Sequence, residues 1–285
     1  MAKGNLILGT AKNSVGDVVM YRREGAQITR VRVRNVKNPK TNAQSFQRAI
    51  MAPIAKFYSP LSVVLERSFE GLSKAKSHNK FNQVNAGLAR KNKWALPKGT
   101  GFFPLPYVLS QGILPSLTYY VEGSLTMQTP GLTAENATIG GLSTSLATLG
   151  LKDGDVITII VVGSTSTGGD VFSYVPKTVQ FVVDSTSTKT FAEAFGSAWS
   201  VAVAGGAIEI KTTDGSTIKA GAIIAARFDG NMWRRNTQTL AVDAELMTKI
   251  TADAAVAAAV ASYGMSAGDV NPIVYLDGDE LADGQ

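Results

Sequence analysis

"LPKGTGFFPLPYVLSQGILPSL", Leu96 to Leu117, divides the chain into two patterns. Before it, apolar residues recur at three- and four-residue intervals, the period of a helix. After it they alternate or cluster in short blocks, the pattern of strands. The stretch itself is apolar and punctuated by proline and glycine. That composition predicts a packed connector, not a flexible linker.

Upstream, "AQSFQRAIMAPIAKFY" places Phe46, Ile50, Ile54 and Phe57 on one helical face. Thr41 opens this helix as the first residue of a capping box, with Gln44 three positions on. Pro53 is expected to kink it and Ser59-Pro60 to break it, so that "LSVVLERSF" starts a second segment. A further helix, Ser73 to Asn92, has Phe81, Val84 and Leu88 on one side and a largely basic remainder. Ahead of the helices, Val15 to Arg34 reads as a β-hairpin around "EGA", ended by Asn38-Pro39.

Downstream, the expected strands are "LTYYVEGSLTM", "DVITIIVVGS", "TVQFVVDS", "WSVAVAG", "AIEIKTT", "GAIIAARFDG" and "TQTLAV". "TDGS" and "FDGN" supply Asp-Gly turns. Short strands so spaced predict an antiparallel sandwich, immunoglobulin-like or jelly-roll-like. An Ala-rich helix, Ala244 to Tyr263, stops at Gly264, and an acidic segment follows. The fold class is therefore α+β. Its expected parts are a basic hairpin and helical region (1–96), the connector (97–116), a β-sandwich domain (117–243), and a C-terminal helix with an acidic tail (244–285).

The net charge of +6 hides a division. Residues 1–100 hold 19 Lys and Arg against 4 Asp and Glu, or +15; the remainder holds 9 against 18, or −9. Either the basic part meets an external polyanion, or it meets the acidic part of another copy. There is no cysteine, hence no disulfide frame and no thiolate chemistry. No stretch has the length of a bilayer span or the apolar core of a secretory signal, so no membrane partner is expected.

The residues speak against catalysis. His78 in "KSHNK" is the one histidine, and it reads as a polar residue on a charged helix. The acidic pairs Asp153/Asp155 and Asp277/Asp279 with Glu280 match no full calcium loop, and they read as turn residues. "GTAKNSVG", "GGLSTS" and "STGGD" lack the strand–glycine–helix setting of a phosphate loop and are expected to be turns. No nucleophile, base and orienting group can be assembled, so no enzyme activity, cofactor, metal or small-molecule substrate is expected.

The sharpest signal lies in "ITRVRVRNVKNPK", Ile28 to Lys40. Arg30, Arg32 and Arg34 sit two apart and would line one face of a strand, with Val31 and Val33 forming an apolar opposite face. Arg22 and Arg23 lie on the partner strand, Lys37 and Lys40 follow, and Arg48 stands on the next helix. So many like charges repel unless water or a polyanion neutralises them. Few aromatic residues are interleaved, which favours sequence-independent phosphate contact over base stacking. Trp233 with Arg234 and Arg235 forms a second small patch, either a recognition loop or a strand-end Trp packed on the sandwich.

Taken in order, "SVGDVVMYRREGAQITRVRV", "NPKTNAQSFQRAIMAPIAKFYSPLSVVLERSFEG", "FPLPYVLSQGILPSL" and "AGAIIAARFDGNMWRRNTQTLAV" resemble a family from gut Bacteroidota and their phages, known as a domain of unknown function. The resemblance spans most of the chain and is strongest in residues 1–120. It implies the same order of basic hairpin, helices and immunoglobulin-like β-domain, and it implies no catalytic residue. It also implies a phage origin. With the charge division, that leads to an expected virion structural protein, a capsid or head-associated subunit that self-assembles in the host cytoplasm. DNA or neighbouring subunits would be its partners. The alternative is a non-virion protein that binds DNA without sequence preference.

Overall fold

The computed structural model describes residues 3–5, 10–15, 17–23, 26–32, 41–164, 174–250 and 253–264. The chain divides into two compact units, Met1–Lys40 and Thr41–Gln285. In the first, strands β1 (Lys3–Asn5), β2 (Thr10–Val15), β3 (Val18–Arg23) and β4 (Ala26–Val31) form an antiparallel sheet in chain order. The expected hairpin is the second half of this meander, with Tyr21 opposite Ile28 and Val19 opposite Arg30. "TAKNSV", inside a stretch expected to turn, is instead β2. Its polar residues show no alternation, and main-chain pairing to both neighbours makes it a strand.

The second unit opens with helix α1 (Asn42–Leu61). The Thr41 hydroxyl accepts from the Gln44 amide, and Phe46, Ile50, Ile54 and Phe57 are buried as the spacing predicts. Pro53 has no N–H to offer the Ala49 carbonyl one turn back. The Leu96 amide fills that place at 3.2 Å, so the connector is sewn to the helix where the proline leaves a gap. The helix also runs through Pro60, which sits in the final turn where little of the ladder is left to lose. "LSVVLERSF" is consequently a run of turns, not a second helix, and it ends near Arg67 at φ +54°.

Helix α2 (Lys74–Lys91) packs beside α1, and Phe57, Phe81 and Tyr107 meet at ring separations of 4.6–6.4 Å. Asn85 on α2 is fully buried. Its carboxamide accepts from the Val108 amide at 2.8 Å and donates to the Val108 carbonyl at 3.0 Å. It thus stands in for a missing neighbour strand beside β5 (Val108–Ser110).

The β-rich part contains β6 (Tyr119–Val121), β7 (Leu125–Gln128), α3 (Ile139–Thr148), β8 (Val156–Ser164), β9 (Tyr174–Val182), α4 (Phe191–Phe195), β10 (Trp199–Ala204), β11 (Ala207–Thr212), β12 (Thr217–Phe228), β13 (Trp233–Arg235), β14 (Gln238–Thr239) and β15 (Ala241–Val242). Helices α5 (Ala244–Ile250) and α6 (Asp253–Ala261) follow, within the range of the expected Ala-rich helix. One sheet has the order β10-β11-β7-β6. The other has β13-β12-β8-β9 with β15 on the side of β12, and β14 pairs with β5. All named strands pair antiparallel, and the two larger sheets share one core, in agreement with the expected α+β class.

The second sheet is covered on both faces. Ile157, Ile159 and Val161 of β8 point into the core between the sheets, while Ile160 and Val162 meet the helices. This is why "VITIIVV" is apolar on both faces, with Thr158 its one polar residue, rather than alternating. On β12, Ile218 and Ile223 share the inter-sheet core despite opposite parity, because a bulge between Ile218 and Ala220 switches the faces. Each such isoleucine contributes about 1.5–3 kcal/mol on burial.

Helix α3 overturns one sequence reading, and α4 stands where the sequence reading placed no element. "GGLSTS" lies inside α3, capped by Thr138, with Ile139, Leu142 and Leu146 buried. Gly140 is there for close approach: its amide donates to the Ser187 carbonyl, and a Cβ would strike that oxygen. Thr190 and Glu193 form a complete capping box at the start of α4. The "STGGD" stretch lies outside the described residues.

Candidate interaction sites

Each compact unit carries one candidate surface. On the first, β4 is the end strand of its sheet. Arg30 and Arg32 are exposed, and the Arg30 guanidinium lies 5.7 Å from the Tyr21 ring centroid. Neither arginine has a carboxylate partner among the described residues. Val31 between them is 74% exposed, so the apolar face expected of this strand is not buried there. The register sets Arg22 opposite Gln27 and Arg23 opposite Ala26. Arg34, Lys37 and Lys40 lie outside the described residues. Arg48 is half-buried on α1, in the second unit.

The second surface is a groove with two adjoining hollows of about 300 and about 650 Å³. The turn that follows α1 forms one wall and the β12–β13 hairpin the other. Trp233 packs on Phe228 at 5.2 Å and carries the Arg235 guanidinium 5.5 Å from its ring centroid. Arg235 also donates to the carbonyls of Arg67 and Glu66, at 3.4 and 3.5 Å. Burial alone pulls its pKa below the ordinary arginine value. Trp233 is thus the packed strand-end residue of the two expected readings, and it also lines the groove.

Glu70 ties this region together. One carboxylate oxygen accepts from Arg234, and the other accepts from the amides of Ile113 and Arg235. Burial raises its pKa, but the Arg234 hydrogen bond, the two amides and the Arg234 charge outweigh that and leave it below the ordinary value. Arg234 is shared with Asp229, and hydrogen bonds to both carboxylates hold its pKa up. Glu70, Arg67, Phe228 and Met232 carried no local signal in the sequence. They become a site only through contacts across some 160 positions.

The remaining candidates resolve structurally. His78 packs against the Tyr58 ring at 4.4 Å and shares a hydrogen bond with Asn82. Asp155 is buried and grips Arg227 with both oxygens at 2.7 Å, while Asp153 holds Ser185. The pair is a structural clasp of a turn. Asp277, Asp279 and Glu280 lie outside the described residues. Among the described residues, no group of three or more His, Cys, Asp or Glu can hold a metal, and no helix is long and apolar enough to cross a membrane.

Residues 9–172 match a family of unknown function, DUF6266. The chain belongs to this family. The DUF6266 match begins just before β2, takes in both long helices and the connector, and stops between β8 and β9. The strands that complete the sandwich lie beyond it. No curated protein and no solved structure matches the chain.

Proposed function

We propose that this DUF6266 protein is a structural subunit of a bacteriophage particle, a capsid or head-associated protein that packs in many copies. The observation that carries the reading is the β4 edge: an end strand presents Arg30, Val31 and Arg32 to solvent, and neither arginine is neutralised by a carboxylate among the described residues. Such an edge suits a neighbouring acidic surface or a phosphate backbone. The opposite charges of the two parts of the chain suit copy-to-copy contact. The phage setting rests on the sequence resemblance. The reading places the protein in the virion, and in host cytoplasm during assembly, and gives it no reaction. Sedimentation of the purified chain should show species above 30.0 kDa, and proteomics of purified particles should find it at stoichiometric abundance. A clean monomer at high concentration and low salt, absent from particles, would overturn it in favour of a non-virion DNA-binding protein.

A further inference from the structure

The groove beside Trp233 has an uncovered apolar floor: Ile113 is 73% exposed, Phe228 55% and Met232 39%. Its charges are unevenly matched. Glu70, Asp229 and Arg234 hold one another, and Glu66 holds Lys74. Arg67 and Lys80, which line the two hollows, have no carboxylate partner among the described residues. What the groove offers is an apolar strip with two unspent cations.

The same chain contains a segment of complementary chemistry. Residues 265–285 carry Asp269, Asp277, Asp279, Glu280 and Asp283 and no Lys or Arg. The apolar block "IVYL", Ile273 to Leu276, directly precedes the densest acids. We propose that the groove holds residues 270–283 of a neighbouring copy, with "IVYL" on the floor and the carboxylates that follow against Arg67 and Lys80. The 21 residues after Gly264 can span up to about 70 Å, enough to reach between packed subunits. A nucleic acid fits less well. Glu70 and Asp229 set two carboxylates beside the floor, and Arg235 already covers one face of Trp233. The proposal rests on the self-assembly reading.

The test uses the full-length chain and a fluorescein-labelled peptide of residues 270–283, followed by anisotropy. Saturable binding that weakens with salt is expected. Arg67→Asn combined with Lys80→Gln should weaken it at least tenfold. Asn suits the left-handed backbone at Arg67, so this variant removes charge without added strain. Met232→Asp should abolish binding through the floor. In sedimentation, the double variant should shift the full chain towards monomer. No saturable binding, or equal binding to wild type and double variant, overturns the proposal. So does peptide binding at the groove while assembly of the double variant is unchanged, because each groove then takes its own chain's segment. Assembly without groove dependence leaves the structural-subunit reading standing. A monomeric wild type overturns this proposal, and one that is also absent from particles overturns both.

Discussion

The Glu70 carboxylate meets the Arg234 guanidinium across 164 positions of sequence. Its second oxygen caps two backbone amides, so one side chain joins the turn after α1, the connector and β13. Because the folded pKa lies below the ordinary 4.5, this contribution is complete above about pH 4.5. It is lost as pH falls through the lowered folded value. Glu70→Gln should cost about 2 kcal/mol at neutral pH, the scale of charge-assisted hydrogen bonds. It should also flatten the loss of stability on acidification. Thermal unfolding of both proteins across that range checks the point; equal acid slopes would contradict it.

Gly112 lies where these strands converge. A Cβ there would strike the Arg235 carbonyl and come within 2.6 Å of the second Glu70 oxygen. The backbone atom cannot swing aside as a side chain would. Gly112→Ala should therefore destabilise by about 1–3 kcal/mol, the range for overpacking. Urea unfolding should show a lower midpoint with an unchanged slope. A midpoint within error of wild type would show that the connector yields freely.

Asn85 satisfies both main-chain groups of Val108 from within a helix. Asn85→Leu keeps roughly the volume and leaves a buried N–H and C=O without partners. The expected loss is about 2–4 kcal/mol, since each abandoned group costs about 1–3 kcal/mol. Hydrogen exchange should localise the effect to residues 105–110. Unchanged protection there would mean that another donor and acceptor take over.

These contacts show which parts of the fold are legible in sequence. The face of α1 is read from residue spacing, because a helix buries one stripe. On α2 only Phe81 of the expected face is fully buried, Val84 and Leu88 are partly so, and Asn85 and Ala89 complete the stripe. The strands after Leu117 are read from β-rich blocks between turns, and Gly215 and Gly230 do adopt the positive φ that the Asp-Gly signals imply. α3 is missed because a glycine pair suggests a turn, whereas Gly140 serves close packing against Ser187. α4 carries a full capping box at Thr190 that periodicity alone passes over, since five residues make little more than one turn. At the β4 edge, Arg30 and Arg32 are local and visible in sequence. The groove is not, because Arg67, Glu70 and Trp233 come together only through distant contacts, and nothing in sequence marks a non-glycine residue such as Arg67 for a left-handed turn.

The β4 edge admits a direct test. Replacing Arg30 and Arg32 with Gln keeps long polar side chains and removes two charges. Both residues are exposed, so the fold should be unaffected. If they face duplex DNA, binding must weaken with salt, because each neutralised phosphate releases condensed counterion. The slope of log K against log salt should then fall by about 0.9 per lost contact. The change should be alike for every DNA sequence, since phosphate contacts carry no base information. If they face a neighbouring subunit instead, DNA affinity will hold while sedimentation shows smaller assemblies. Filter binding across a salt series, run beside sedimentation of the same variant, separates the two outcomes. If neither responds, Arg30 and Arg32 only keep an edge strand soluble, and the structural-subunit reading loses the observation that carries it.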